Sequence, residues 1–374
     1  MKKLAIICNT DGALFNFRRP LIQKHLNDGA IVNTYSNDYD NYFKELKTIG
    51  CNPVKINFHV KNNFLENIQL IFTVLKHILK FKPDIIHIYT LQPAILLSIP
   101  LFLVGMRNIV TTVTGMGRNF DINPNKINLK QRLILMVLKI SLKFNKSVIV
   151  QNRVDYNMFL KNRIVNKNKL VRTSGSGIEI PDNHNLLMTS TNHYEQNSKK
   201  MVLFPARGIK EKGIEIFAEV AKTISSIDNS FEFIHAGSYP EYMSKNEYEE
   251  YAKTNNFTPL GYLKNIKKLY LQCHIVFLPS MYREGTPKAL IEAIFFNKII
   301  VTSRIAGCEE TVIQGLNGFK GVPGNIHDFV SYIQRTKEIS DKQKTNTNKF
   351  LLKKYDINKL FELHKNIYKK MLKS

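Results

Sequence analysis

Short runs of β-branched and aromatic residues recur along the first half of the chain, at Leu4 to Cys8, Ile31 to Ser36, Val54 to Phe58, Asp84 to Tyr89, Ile109 to Val113 and Ser147 to Gln151. Longer stretches with helical spacing of apolar positions separate them. Apolar runs alternating with helices describe a parallel sheet covered on both faces. After Pro181 the polar, unpatterned segment DNHNLLMTSTNHYEQNSKK reads as a linker or exposed loop. The alternation restarts at Met201 to Pro205, Phe231 to Ala236, His274 to Pro279, Ile299 to Thr302 and Gly318 to Gly321. The pattern predicts an α/β protein of two doubly wound, Rossmann-like domains facing across a cleft, with ligand held at the carboxyl ends of the strands. A length of 374 residues suits two domains of ordinary size.

Composition narrows the setting. Hydrophobic residues make up 44% and charged residues 22%, the balance of a globular protein. Cys8, Cys51, Cys273 and Cys308 are widely spaced, without a CxxC pair, which fits buried thiols in a reducing cytoplasm. The start MKKLAIICNTDG turns polar too soon for a signal peptide, and the stretch Ala94 to Met106 is too short to span a bilayer.

Charge changes the picture more. Of the net +24, residues 1–180 hold 26 Lys/Arg against 10 Asp/Glu. Such a field attracts nucleic acid, a phosphorylated substrate or an acidic membrane surface. No helix-turn-helix, RNA-recognition or zinc-finger signature supports nucleic acid. In Leu129 to Lys146, the residues Arg132, Lys139, Lys143 and Lys146 fall near one face of an otherwise apolar helix. The expectation is a core helix with a solvated basic edge; the other reading is a surface resting on anionic lipid.

Two constellations carry chemistry. From His274 to Ile300 the chain runs strand, loop, helix, strand, and Thr286 and Pro287 suit the N-cap and first helical position. Glu284 and Gly285 then lie on the loop, with Glu284 expected to be exposed to a ligand, and the helix N-terminus offers N–H groups to phosphate oxygens. Glu292 is the single carboxylate in an apolar helix, so it needs a partner: ribose hydroxyls, or Lys288 one turn earlier. The second constellation, MVLFPARGIKEKG at Met201 to Gly213, sets Arg207, Lys210 and Lys212 beside a helix N-terminus. Cations there are unfavourable unless an anion joins them, and a diphosphate would accept the fork of Arg207. A weaker signal is the turn Asn9-Thr10-Asp11-Gly12 after the first strand, where Gly12 lets backbone approach a ligand. Gly115-Met-Gly117 and Gly175-Ser-Gly177 lack the third glycine of a dinucleotide fingerprint, Asp38-Tyr-Asp40 sits in a polar turn, and no HxxxH or HExxH pattern occurs, so neither cofactor nor metal is expected.

These residues resemble glycosyltransferase family 4, of the GT-B fold. Glu284 and Glu292, with seven residues between, match its E-x7-E motif; Arg207 and Lys212 match its RxxxxKG loop; and Gly307 to Phe319, GCEETVIQGLNGF, is similar to its GxxExxxxGxNG run. In the first half, Phe17-Arg18-Arg19-Pro20, Thr112 to Gly117 and Gly175 to Glu179 resemble bacterial enzymes that build O-antigen, capsule or lipid-linked glycans. The resemblance implies an N-terminal acceptor domain over 1–180, a donor domain over 200–354 and a helix over 355–372 that rejoins the first domain. It implies a retaining, metal-independent transfer from a UDP-sugar to a polyprenyl-diphosphate-linked glycan by a cytoplasmic enzyme resting on the inner face of the membrane. By the same resemblance Arg207 and Lys212 hold the donor diphosphate, Glu292 binds ribose, Glu284 contacts the transferred sugar and Gly12 lies near the phosphates. Two departures stand out: Thr286 replaces a usual Leu, and Ser303-Arg304 replaces a common Asp-Val. No general base is assigned. The alternative enzyme reading is a nucleotide-sugar epimerase of the same fold.

Overall fold

Apolar runs become central strands in this protein because helices cover them on both sides. The computed structural model describes residues 2–58, 63–117, 128–182, 184 and 199–373. The described residues up to Glu179 and from Asp356 onward form one compact unit, and those from Ile180 to Tyr355 form another.

The first unit runs β1 (Lys3–Ile7), α1 (Asp11–Asn27), β2 (Ile31–Ser36), α2 (Phe43–Thr48), β3 (Asn52–Lys55), α3 (Phe64–Phe81), β4 (Ile85–Tyr89), α4 (Leu91–Leu103), β5 (Ile109–Val113), α5 (Leu129–Leu142), β6 (Ser147–Val150), α6 (Arg153–Lys161) and β7 (Leu170–Arg172). All strands pair in parallel in the order β3-β2-β1-β4-β5-β6-β7. Every residue of β4, β5 and β6 is buried, the signature of a sheet with two covered faces. Because the chain runs outward from β1 to β3 and returns on the other side at β4, the topology reverses between β1 and β4.

The second unit runs β8 (Lys200–Phe204), α7 (Ile214–Ile227), β9 (Phe231–His235), α8 (Lys245–Thr254), β10 (Thr258–Pro259), α9 (Lys267–Gln272), β11 (Ile275–Leu278), α10 (Lys288–Phe295), β12 (Ile299–Ser303), β13 (Gly318–Gly321), α11 (Ile326–Arg335) and α12 (Asp341–Leu352). Its order is β10-β9-β8-β11-β12-β13, again parallel, with the reversal between β8 and β11. Val202, Phe217, Phe277, Ile300 and Phe329 fill its interior.

The last helix, α13 (Ile357–Lys373), belongs to the first unit and packs along α1. Ile357 and Leu360 meet Leu21, and Ile367, Tyr368 and Met371 join the main core. Buried His87 on β4 holds the helix in place: its Nδ1 is 2.6 Å from the Tyr368 hydroxyl and its Nε2 is 2.7 Å from Thr112 Oγ1. Midway along the helix Lys365 pairs with Asp28 at 3.0 Å.

Eleven of these strands coincide with the apolar runs to within a few residues. The exceptions are β7 and β10, three and two residues long, too short to leave a pattern. Most of the polar segment after Pro181 lies outside the described residues. The expectation for α5 needs correction. Only Gln131, Leu135, Leu138, Ser141 and Leu142 are buried, while Leu129, Leu133, Met136, Val137 and Ile140 stand exposed among Lys130, Arg132, Lys139 and Lys143. The apolar residues outnumber what one buried stripe of a helix can hold, so the rest share the outer face with the cations. Among the described residues no helix is long and apolar enough to cross a membrane.

Candidate functional site

The loop after β8 is built tightly. It passes Pro205, Ala206 and Arg207 and makes a 3-10 turn at Lys210–Lys212; Gly213, at φ +84°, then starts α7. A side chain on Gly213 would strike the Pro279 carbonyl oxygen at the end of β11, so the two loops touch here through backbone alone. Met281 N–H donates to the Glu211 carbonyl at 2.8 Å and seals the contact. From the other side the His235 ring braces the loop. Its Nε2 lies 2.8 Å from the Ala206 carbonyl, an acceptor only, so Nε2 carries the proton; Nδ1 then accepts from the Tyr248 hydroxyl at 2.8 Å. Burial pushes the His235 pKa down to about 4, keeping this neutral tautomer across the physiological range. Cations on a loop so held are pre-positioned.

The loop after β11 brings the carboxylate to them. Lys212 Nζ and Glu284 Oε2 are 2.5 Å apart, and Ser280 Oγ donates to Glu284 Oε1 at 2.5 Å. The Lys212 ammonium also stands 5.4 Å from the centre of the Tyr282 ring. Burial by itself would lower the pKa of Lys212, but the Glu284 carboxylate outweighs it and holds the lysine above its ordinary value. Glu284 is therefore not the exposed loop residue that its sequence context suggests: it is 8% exposed, because Ser280 and Lys212 fold over it. Its backbone N–H reaches the Ala306 carbonyl at 3.3 Å, and the next residue, Gly307 at φ +84°, packs its Cα against the carbonyl of Gly285 with no room for a Cβ.

Thr286 is buried, and Pro287, at ψ 126°, is the N-cap of α10, so the helix begins at Lys288, one residue later than expected. No side chain caps that end. On the helix, Glu292 is half-buried and meets Lys288 at 3.4 Å. Of the two readings for its partner, the structure displays the ion pair. Tyr270 lies alongside, its phenol pushed well above the ordinary range first by burial and then by the Glu292 carboxylate.

Arg207 is exposed and has no carboxylate partner among the described residues. It is a cation without an anion at the point where the sheet order reverses, the place where open α/β sheets bind ligands. Arg207, Lys212, Glu284, Gly285, Thr286 and Pro287 thus gather on two adjoining loops, with Glu292 two turns into α10. Gly12 lies in the other unit, at the start of α1. There the place of its missing Cβ is taken by the Asp40 side chain, while buried Asp11 accepts the backbone N–H groups of Asp40 and Tyr42 at 3.1 and 2.7 Å. The geometry gives this glycine a packing reason. Sequence reasoning missed Ser280, Tyr282 and the His235–Tyr248 brace; a histidine closing a buried strand just before Gly237 is the one signal that could have revealed the brace. Among the described residues no cluster of His, Cys, Asp or Glu could hold a metal ion, and all four cysteines are free and buried.

Comparison with known proteins finds matches on both halves of the chain. The family of glycosyl transferases group 1 matches residues 190–350, and the glycosyl transferase 4-like family matches residues 14–152. Over its full length the chain is 25% identical to the N,N'-diacetylbacillosaminyl-diphospho-undecaprenol alpha-1,3-N-acetylgalactosaminyltransferase of Campylobacter jejuni, of which it also covers 100%. Among solved structures it is similar to a glycosyltransferase from Rickettsia africae (TM-score 0.76, 17% identity, 100% of this chain and 99% of that one). It is also similar to HepE of Anabaena in complex with UDP (TM-score 0.73, 16% identity, 99% of this chain and 100% of that one). With a parallel sheet of doubly wound topology in each unit and family matches on both halves, the chain belongs to the GT-B glycosyltransferases of the family 4 type.

Proposed function

We propose that this glycosyltransferase moves a sugar, with retention and without a metal, from a UDP-sugar to a polyprenyl-diphosphate-linked glycan in bacterial surface polysaccharide synthesis. The observation that carries the donor half is the Lys212–Glu284 pair beside unpaired Arg207 at the β8/β11 switch point. A diphosphate there would be held by the guanidinium fork and the ammonium, and by the uncapped N-terminus of α10. As the bond from the anomeric carbon to the diphosphate oxygen breaks, UDP leaves with the electron pair. The charge growing on it meets cations already in place, which lowers the barrier. The acceptor oxygen bonds to the same face of that carbon and its proton passes to the departing phosphate. Glu284, with both oxygens engaged, orients the sugar rather than removing a proton. Glu292 exchanges Lys288 for ribose hydroxyls. The UDP held by the HepE relative supports the donor class, and the diphospho-undecaprenol substrate in the Campylobacter relative's name supports the acceptor class. The Campylobacter relative, matched over the full length of both chains, is a glycosyltransferase by name, so the epimerase alternative is not favoured.

Purified protein given radiolabelled UDP-sugars, a lipid-linked acceptor and excess EDTA should form product whose new linkage keeps the donor's anomeric configuration by NMR. Arg207→Ala should raise the donor KM about tenfold or more, as loss of a charge-assisted bidentate contact does. Full activity in Arg207→Ala, dependence on added metal, or an inverted product each removes the corresponding part of the reading.

The same reading includes peripheral contact with an anionic membrane. The exposed face of α5 carries five large apolar side chains and four cations and no acid. Leu103 at the end of neighbouring α4 is 76% exposed, and Leu65, Phe72 and Leu79 form an outward stripe on α3, which adjoins α4. Apolar groups insert and cations add about 1 kcal/mol each near an acidic surface. Wild-type protein should float with vesicles containing phosphatidylglycerol and not with neutral ones. Leu133→Glu with Ile140→Glu should abolish flotation while UDP affinity is unchanged; undiminished flotation would remove α5 from the membrane contact.

A further inference from the structure

The first unit repeats, at its own switch point, the features that mark the donor loops of the second. Between the carboxyl ends of β1 and β4 the chain carries Cys8, Asn9 and Thr10 on one side and Thr90 on the other, and the Thr90 hydroxyl donates to Asn9 Oδ1 at 3.4 Å. Thr90 is held at φ +73° and ψ 162°, a backbone region that a β-branched residue rarely enters. Its N–H is fixed to the Thr112 carbonyl at 3.0 Å. Thr90 is the N-cap of α4, thirteen residues without a charge, and no side chain caps that N-terminus. Alone, a helix end would signify little.

Arg18 is the second and independent feature. It is 6% exposed, and its guanidinium lies 4.4 Å from the centre of the ring of Tyr89, the residue just before Thr90. Among the described residues it has neither a hydrogen bond nor a carboxylate partner. Its ionisable neighbours are Tyr89 and Cys8, both neutral, and the histidines His87 and His364. Asp11, on the same helix, has spent both oxygens on backbone N–H groups. An arginine cannot shed its proton, and a guanidinium so little exposed, beside a ring and no acid, is unfavourable unless an anion completes it. Strain at Thr90, an uncapped helix end and an unpaired arginine meet at the one place where this sheet's topology admits a ligand.

We propose that the β1/β4 switch point is an anion site, in which Arg18 and the N-terminus of α4 hold a phosphate group of the acceptor's diphosphate. The identity of the anion rests on the lipid-linked acceptor proposed above; the site itself does not. The planar fork of Arg18 suits two oxygens of one phosphate, the helix end supplies N–H donors, and the Asn9–Thr90 bond fixes the rim. This binding gives the positive first half a specific ligand besides a membrane.

The test has two arms. With the donor site saturated by UDP, inorganic pyrophosphate titrated into wild-type protein by calorimetry should show one further saturable site, weakened about tenfold in Arg18→Lys, which keeps the charge and loses the fork. No further site in wild type, or equal affinity in a folded Arg18→Lys, overturns the anion site, and the wild-type titration decides this even should the variant not fold. In the second arm, Arg18→Lys should raise KM for a diphosphate-linked glycan about tenfold, leaving KM for the UDP-sugar and for the same glycan without phosphate within twofold. An equal rise for the phosphate-free glycan overturns the assignment to the acceptor. Should wild type transfer equally well to glycans without diphosphate, the acceptor reading fails while the pyrophosphate arm still judges the site.

Discussion

Glu284→Gln is expected to reduce the rate of sugar transfer about 10²- to 10³-fold, the range seen when one preorganised electrostatic group is removed from a reacting centre. Glutamine is nearly isosteric: its one oxygen can accept from Lys212 while its amide N–H donates to Ser280 Oγ, which reverses the role of that hydroxyl, so the loop after β11 should hold its course. What disappears is the negative charge that orients the donor sugar and fixes the ammonium of Lys212. UDP affinity should change by less than a few-fold, because Arg207 and Lys212 remain. The comparison with Glu284→Ala is informative: removing both acceptors leaves Lys212, only 15% exposed, without its partner, and breaking such a buried pair costs about 3–5 kcal/mol. The alanine variant should therefore lose melting temperature as well as rate, the glutamine variant chiefly rate. A glutamine variant that melts lower yet transfers sugar at the wild-type rate would reduce Glu284 to a structural tie.

Gly307→Ala should do comparable damage from outside the reacting groups. The residue sits at φ +84°, where a side chain costs about 1–3 kcal/mol, and a Cβ would run into the Gly285 carbonyl oxygen. Both neighbours are backbone, so relief requires moving either the loop after β12 or the loop bearing Glu284 and Gly285. A displacement of about 1 Å at a reacting centre costs roughly 10²-fold in rate. Thermal unfolding should fall by several degrees and kcat by about 10²-fold, with KM for the UDP-sugar rising less. Unchanged kcat in a variant of lowered stability would mean that the loop yields on the Gly307 side.

Both predictions depend on contacts across the second unit, and they show where reading the chain as a string succeeds and fails. The strands at Ile31–Ser36, Ile109–Val113 and Gly318–Gly321 were legible to the residue, since a buried strand needs only a short run of apolar side chains. The spacing of Glu284 from Glu292 and the RxxxxKG loop were legible too, as was the start of α10 near Pro287. The exposure of Glu284 was misjudged, because a polar loop between a strand and a helix usually faces water. Here Ser280 and Lys212 close over it.

The sequence by itself determined two parallel α/β units and the family, because these follow from periodicities of two to four residues and from fixed motif spacings. Only the tertiary structure decided which charges meet. Lys212 and Glu284 are 72 residues apart and touch because β8 and β11 are neighbours at the switch point. It also set Asp40 against Gly12, turned half of the apolar residues of α5 outward and left Arg18 above the Tyr89 ring without an acid. Strand order and loop path choose such partners, and a local pattern carries no record of either.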